Sequence, residues 1–566
     1  MDQLTPVVPD DNKQAYAVTE VTPEDAGDVQ VDVHTHLRDG VQRKMEQRHI
    51  QMIALAGTLG TGLFLSSGKT IAHGGPAGSV LSYILTGSIA YCMLTCVGEM
   101  AVYAPISGGY IHYIERWLHP AIGFAVGWQV CIQYCLFLPS EIIAANILIS
   151  FWDQAFPKAR QAGYMLILMA FAALINYFGV RWFGESEFVF ALIKIALVVG
   201  LIIGGIVLDL GGGPNHDRIG FRYWKDPGAF APYHEDSGFG YFLGFFTNLL
   251  QAAGSFAGIE SIAFTAAEVK NPRVALSKAI RRLFWRIAIF YVVLVFVVGL
   301  LVPYNDPNLL QSTGTAASSP FVIAFNRAGV KVLPSIINAA ILTSAFSAGS
   351  SLMYSVSRML YGLALRGFAP RFVAKTTKQG LPVVALSIVA CFFGLSFMSL
   401  GDGASTVLNW LSNLNALLVL YSPSVGFKLT HVSIGYITWM MIGVTYLRFK
   451  KGIEAQGIDR TAWRYYNRFQ PWPAYWVIFW SSIVLIFSGW EVFTKGHWSA
   501  QDFVIDYITI PIFLVLAGGF WIVKRPRWLK AHELDMFGNI PKDEDVECDE
   551  PAPKTWFGKV INFLFT

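Results

Sequence analysis

A chain of 566 residues that is 54% hydrophobic and only 14% charged is not a soluble protein, because soluble domains carry about 25% charged residues. Repeated apolar runs of about 20 residues make it a polytopic membrane protein. The net charge of +4 says little as a sum; its placement along the chain is informative.

Residues 1–47 are rich in Asp, Glu, Pro and Thr and poor in large apolar side chains. This composition predicts a disordered tail. The polar start predicts no cleaved signal peptide, so the first span directs insertion. Apolar segments follow near 50–70, 79–102, 121–151, 163–183, 187–208, 239–265, 285–303, 333–357, 382–400, 405–447, 473–494 and 503–523. With 405–447 taken as one unit, twelve spans are predicted.

Basic residues test this topology. Arg38, Arg43, Lys44 and Arg48 precede the first span, and Lys270, Arg273, Lys278, Arg281, Arg282 and Arg286 lie between the sixth and seventh. Arg358, Arg366, Arg371, Lys375 and Lys378 lie between the eighth and ninth, and Arg448, Lys450, Lys451, Arg460, Arg464 and Arg468 between the tenth and eleventh. Lys524, Arg525, Arg527 and Lys530 follow the last. Twelve spans put all five groups on one side, which the positive-inside rule makes cytoplasmic. Both termini are then expected in the cytoplasm, the second as a tail over 525–566.

The 405–447 segment is about twice the length of one span and contains Pro423, Lys428 and His431. Two spans there would place the basic 448–468 stretch outside. An insertion near 416–433 within a single tenth span fits better. Leu429-Thr430 is compatible with translation of a splice branch point, so a retained intron and a genuine extended loop both stay open.

Gly57-Thr58-Leu59-Gly60-Thr61-Gly62 interrupts the first apolar segment. Glycine loses the most backbone entropy in a helix and threonine is stiff at χ1. Irregular backbone survives in lipid only where protein buries it or where it lines a cavity. Gly254-Ser255-Phe256-Ala257-Gly258-Ile259-Glu260 repeats the interruption five segments later. Matched broken helices in two five-helix halves point to an inverted-repeat transporter with a midplane site. Half-helix N-termini there favour a carboxylate, and free carbonyls an ammonium. The plainer alternative is glycine-mediated helix packing.

Several stretches together resemble the fungal amino acid permeases of the amino acid–polyamine–organocation superfamily. They are Arg48-His49 through Gly62-Leu63-Phe64, Gly98-Glu99-Met100, Pro105-Ile-Ser-Gly-Gly109, Glu268-Val-Lys-Asn-Pro-Arg273 and Ser355-Val-Ser-Arg358-Met-Leu-Tyr361. The resemblance covers about residues 43–525. It implies an all-α LeuT-like fold, a five-plus-five inverted repeat with two added helices, and proton-driven amino acid uptake at the plasma membrane. By position it implies that Thr58, Gly60, Thr61 and Gly62 bind the substrate carboxylate. The Ser255, Phe256, Ala257 and Gly258 backbone would meet the amine, with the Phe256 ring as a lid. Relatives often have Gly-Thr-Glu where this chain has Gly258-Ile259-Glu260.

Ionisable side chains inside spans are functional candidates. Lys194 is placed by the resemblance as the proton-coupling group of the fifth span; its alternative is a lysine snorkelling to the interface. Glu260 is a candidate for ammonium binding, proton relay or satisfaction of unwound backbone. Glu141 is a candidate for coupling or a protonated structural acid. Glu99 reads as structural. Gln133, Tyr134, Thr343, Ser344 and Ser347 are candidate linings of the side-chain pocket, Ser344 foremost. The six cysteines read as small packing residues, and no metal site, cofactor, enzyme constellation or nucleic-acid partner is expected. The predicted function is proton–amino acid symport. A non-transporting amino-acid sensor, or a carrier for choline, polyamine or γ-aminobutyrate, is the alternative.

Overall fold

The computed structural model describes residues 43–541 except 59–63, 65–66, 154, 156, 257, 308, 310–318, 331, 401–429, 495–497 and 539. Thr58 is described in its backbone only, and Gly60, Thr61, Gly62 and Ala257 lie outside the described residues, as does most of the expected insertion.

The architecture is helical throughout the described residues, with a single isolated bridge between Met45 and Val269. Span 1 comprises the helix Gln47–Thr58 and the first turns of Ser67–Tyr103. Gly75, at φ 73°, and Pro76 separate those turns from span 2. That φ is the left-handed region where a Cβ is penalised. Spans 3, 4 and 5 are Pro120–Ile149, Lys158–Tyr177 and Val180–Asp209. Span 6 is Gly238–Ser255 followed by a short 3-10 turn, Ile259–Ala263. Span 7 runs through Pro272–Ile287, Ala288–Val293 and Leu294–Leu301. Span 8 is Leu333–Leu365, and span 9 is Val383–Cys391 with Phe392–Leu400. Span 10 contains Thr430–Ala455, span 11 Trp472–Phe487, and span 12 Ala500–Tyr507 with Thr509–Lys524.

Large apolar side chains face outward on the peripheral spans. Ile167 is 66% exposed, Val515 71% and Val523 77%, the surface of a bundle solvated by lipid. Water provides no hydrophobic drive between such helices, so close packing at small residues and polar contacts must hold them. Spans 1, 2 and 6 meet in this way. Asn248 donates to Ser79 Oγ at 3.2 Å, and Ser82 Oγ donates to the Phe245 carbonyl at 3.1 Å. Gly74 and Gly244 let the backbones touch: a Cβ on Gly244 would lie 2.7 Å from the His73 carbonyl oxygen.

The two chain ends lie at the same end of the bundle. The described chain begins before span 1: Met45 is fully buried, and its backbone pairs with Glu268 and Lys270 at 2.9 Å each. Past span 12, the chain lies across this end. Asp535 pairs with Arg116 at 3.1 Å and its carbonyl accepts from Trp117 Nε1, while Tyr103 donates to the Met536 carbonyl at 2.7 Å. Arg273 donates to the Pro541 carbonyl at 2.9 Å, and Leu534 and Met536 are buried.

Candidate functional site

Span 6 is the better described of the two broken helices. Its α-helix stops at Ser255, one residue beyond Gly254, and Gly258 sits at φ 91°. A residue with a Cβ is strained there, so glycine permits the turn into the 3-10 segment. The freed backbone groups have partners. Tyr291 of span 7 donates to the Ser255 carbonyl at 3.0 Å, and Tyr83 of span 2 shares a 3.0 Å hydrogen bond with Ser255 Oγ. The Ser261 amide donates to the Gly258 carbonyl at 3.0 Å. Each carbonyl keeps a second lone pair for a further donor. The Phe256 ring is fully buried and stacks on Tyr291 with centroids 4.5 Å apart. Tyr83 and Tyr291 were not identified from sequence, because an isolated tyrosine in an apolar run carries no signal of its partner.

Glu260 follows the break and is 3% exposed. Tyr134 of span 3 donates to Oε1 at 2.7 Å, and Trp439 of span 10 donates to Oε2 at 3.3 Å. The carboxylate therefore ties three spans together beside the broken backbone. Tyr134, expected only as a pocket lining, is a direct partner of the principal acid.

A second buried group of ionisable side chains lies between spans 3, 5 and 8. Lys194 has no exposed surface, which rules out a side chain snorkelling to water. The carboxylates of Glu187 and Glu141 act electrostatically on its ammonium. Glu141 is 4% exposed and packs on span 8 at Gly349, where an added Cβ would sit 3.6 Å from its own Cβ. Glu187 is fully buried and accepts from Ser347 Oγ at 2.9 Å. Ser347, expected in the side-chain pocket, is thus turned to Glu187. Ser344 is fully buried one turn earlier, on the same side of the helix. Thr343 Oγ1 donates to the Ala340 carbonyl of its own helix at 2.8 Å. Lys194 and Glu260 are in two separate groups, which span 3 meets two turns apart along one face through Glu141 and Tyr134.

Glu99 is a structural anchor. It is fully buried and accepts from Arg460 at 3.2 Å, with Tyr446 and the Asn467 amide as further donors.

Comparison with known proteins decides the family. The amino acid permease family profile matches residues 49–533. The chain belongs to the amino acid permease family. The permease is 38% identical over 548 residues to a proline-specific permease of Emericella nidulans, covering 95% of both chains. It is 34% identical to a basic amino-acid permease of Saccharomyces cerevisiae, covering 98% of this chain and 94% of that one. It is 37% identical to a general amino-acid permease of Candida albicans, covering 90% of this chain and 83% of the relative. Among solved structures, a manganese transporter of Eremococcus coleocola aligns with a TM-score of 0.55 at 12% identity, over 87% of this chain and 98% of that one. That likeness concerns the fold, which is LeuT-like with twelve spans. The permease is a multi-pass membrane transporter of amino acids and not an enzyme.

Proposed function

We propose that this permease imports amino acids across the plasma membrane by proton symport. The observation that carries the reading is Lys194, enclosed without solvent exposure and in the field of Glu187 and Glu141. An ammonium there is costly unless it is paired or gives up its proton. A group that gains and loses a proton within the bundle is what coupling to a proton gradient requires.

The substrate site in this reading lies at the two helix breaks. Amides around Thr58, Gly60, Thr61 and Gly62 receive the carboxylate, and carbonyls from Ser255 to Gly258 receive the amine beside Phe256. The relatives are named for proline, basic and general amino-acid transport, so overall identity does not select a side chain. Among the described residues no acid beyond Glu260 stands at the span 6 break, and Glu260 is engaged by Tyr134 and Trp439. This favours neutral or broad substrates over strictly basic ones. The end bearing both termini, with its arginines and lysines, faces the cytoplasm.

Uptake of labelled amino acids into permease-deficient cells, with and without a protonophore, tests the proposal. Uptake above the empty-vector level that collapses with the protonophore is expected. Uptake indifferent to the protonophore rejects symport, and surface-localised protein with no uptake of any amino acid rejects transport by this polypeptide.

A further inference from the structure

Glu187 has a geometry that a simple packing acid does not need. Its Oε2 accepts from Ser347 Oγ at 2.9 Å, while Oε1 is buried without a hydrogen-bond partner among the described residues. Ser351 Oγ, one turn from Ser347 on the same face of span 8, is buried beside the same carboxylate. An unsatisfied buried acceptor is costly, and more so when charged. Such an atom is open to a proton or a further donor.

Lys194 stands seven residues further along span 5, hence on the same face and about 10 Å higher along the axis. Helical side chains lean toward the N-terminus of their helix, so the lysine stem reaches down toward Glu187. Below Glu187 the series continues. Glu185 is partly exposed at the terminus-bearing end and lies 2.5 Å from Arg48 and 3.3 Å from His49 Nε2. His49 itself is 1% exposed and packs on Gly184. Its Nδ1 accepts from the Glu46 amide at 3.3 Å, which leaves Nε2 as the nitrogen nearer Glu185 without a hydrogen bond of its own. Span 5 thus carries a descending series of titratable groups: Lys194, Glu187, then the His49–Glu185 contact.

The neighbouring elements supply few other charges. Span 1 presents Glu46, Arg48 and His49 to the lower end, span 3 presents Glu141 to Lys194, and span 8 presents Ser347 and Ser351. The Leu294–Leu301 part of span 7 is wholly apolar apart from Gly299.

We propose that Glu187 is the proton-accepting residue between Lys194 and the cytoplasmic end of the permease. The proposal rests on the symport reading above and assigns the route by which the proton leaves. In the step, the Lys194 ammonium comes within reach of the open oxygen during the transport cycle, an N–H bond breaks and an O–H bond forms at Glu187 Oε1. The electron pair of the broken bond stays on nitrogen. Two buried charges become two neutral groups, which removes the cost of holding them out of water. Ser347 fixes the carboxyl so that the open oxygen remains Oε1. The proton then passes to the His49–Glu185 rim and water.

The test uses the full-length permease in proteoliposomes with a labelled mixture of neutral L-amino acids. Two rates are read: accumulation driven by an imposed proton gradient, and one-for-one exchange with the same mixture preloaded inside. Exchange completes without releasing the proton inward, whereas accumulation needs that release. Glu187→Gln is expected to lower gradient-driven accumulation at least tenfold and to leave exchange within twofold, with Glu187→Asp restoring part of the accumulation. Accumulation within twofold of wild type in Glu187→Gln overturns the role of Glu187. Equal loss of both rates shows a structural acid and also overturns it. If Glu187→Gln does not reach the membrane, Glu187→Asp decides: a carboxyl one methylene shorter should slow accumulation several-fold with exchange preserved, and equal slowing of both overturns the relay. If wild type itself does not accumulate under the gradient, the symport reading fails instead.

Discussion

The Tyr134 hydroxyl lies 2.7 Å from Glu260 Oε1, joining the middle of span 3 to the first turn beyond the break in span 6. Span 3 belongs to the first five-helix repeat and span 6 to the second. The bond therefore crosses between the two halves of the repeat. Trp439 donates to the other oxygen from span 10.

Tyr134→Phe removes the donor and keeps the ring. A buried carboxylate that loses one partner is destabilised by about 1–3 kcal/mol, or about 5- to 150-fold in an equilibrium constant. Uptake normalised to surface protein should fall by about that factor. Unchanged uptake would show that the bond does not position Glu260 during transport.

The sequence made Glu260 visible because glycines on its N-terminal side cannot sustain a helix in lipid. It made Glu99 visible as an acid at the end of a span near basic loops. Lys194 stood out as a cation inside an apolar run. Glu187 did not, because it lies near the polar start of span 5 and looked like an interfacial residue. Its burial depends on Ser347, which is 160 residues away. The tyrosines that satisfy Ser255 were illegible for the same reason: helix periodicity assigns a face to a residue but does not identify the side chain opposite. Ser347 was legible as polar and lay near the expected depth, but its direction depended on how span 8 rotates against span 5.

Arg358 and Glu268 form a buried pair, Nε to Oε1 at 2.9 Å, with 5% and 1% of their side chains exposed. Tyr354 also donates to Glu268, and the Arg358 guanidinium lies 4.0 Å over the Tyr354 ring. The next residues of the chain pair with Met45, so the cluster closes the terminus-bearing end below spans 1 and 6. Removing one charge strands the other, at about 3–5 kcal/mol. Glu268→Gln should lower the melting temperature in detergent and reduce the folded yield. Adding Arg358→Met should recover part of both. A double variant no better than the single one would reject the pairing as the cause.

Gly244 should tolerate no side chain. A Cβ there would lie 2.7 Å from the His73 carbonyl oxygen and 2.8 Å from that of Ala231. Neither backbone atom can swing away, so Gly244→Ala should cost about 1–3 kcal/mol and separate spans 1 and 6. Gly163, in span 4, has nothing within 4 Å of an added Cβ and is the matched control. A thermal-shift series in which both alanine variants behave alike would contradict this account of the packing.

The expected insertion over 416–433 can be tested by deletion. The apolar part of the helix Thr430–Ala455 ends before Arg448, so 434–447 alone is about 21 Å of helix, and only its junction to 405–415 gives a helix of about 37 Å, enough for a hydrocarbon core of about 30 Å. Joining Asn415 to Ile434 removes Pro423, Lys428 and His431. A lysine at the centre of a span costs about 2.5–3.5 kcal/mol on insertion scales. We expect the deletion variant to express at least as well and to transport faster. A deletion variant that is inactive beside an active full chain would make the segment a functional element.

The chain after span 12 should stay docked across neutral pH. Burial opposes ionisation of Asp535, but the Gly538 and Phe537 amides and Arg116 outweigh it and hold its carboxyl below the usual aspartate value. A lowered carboxyl pKa stabilises the docked form above the ordinary value near 3.8, and that contribution disappears as pH falls through the docked-state value. Between about pH 5 and 8 the contribution is therefore constant, and protease sensitivity of the segment from 527 to 541 should not change. Below about pH 4 it should rise. Met536 is 1% exposed and faces Gly452 with Leu534, so Met536→Asp puts a charge into that buried contact and should expose the segment at neutral pH. Limited proteolysis of inside-out vesicles reads both effects. Protection that is unchanged in Met536→Asp would mean that the backbone contacts to Tyr103, Trp117 and Arg273 suffice to hold the segment without its apolar anchor.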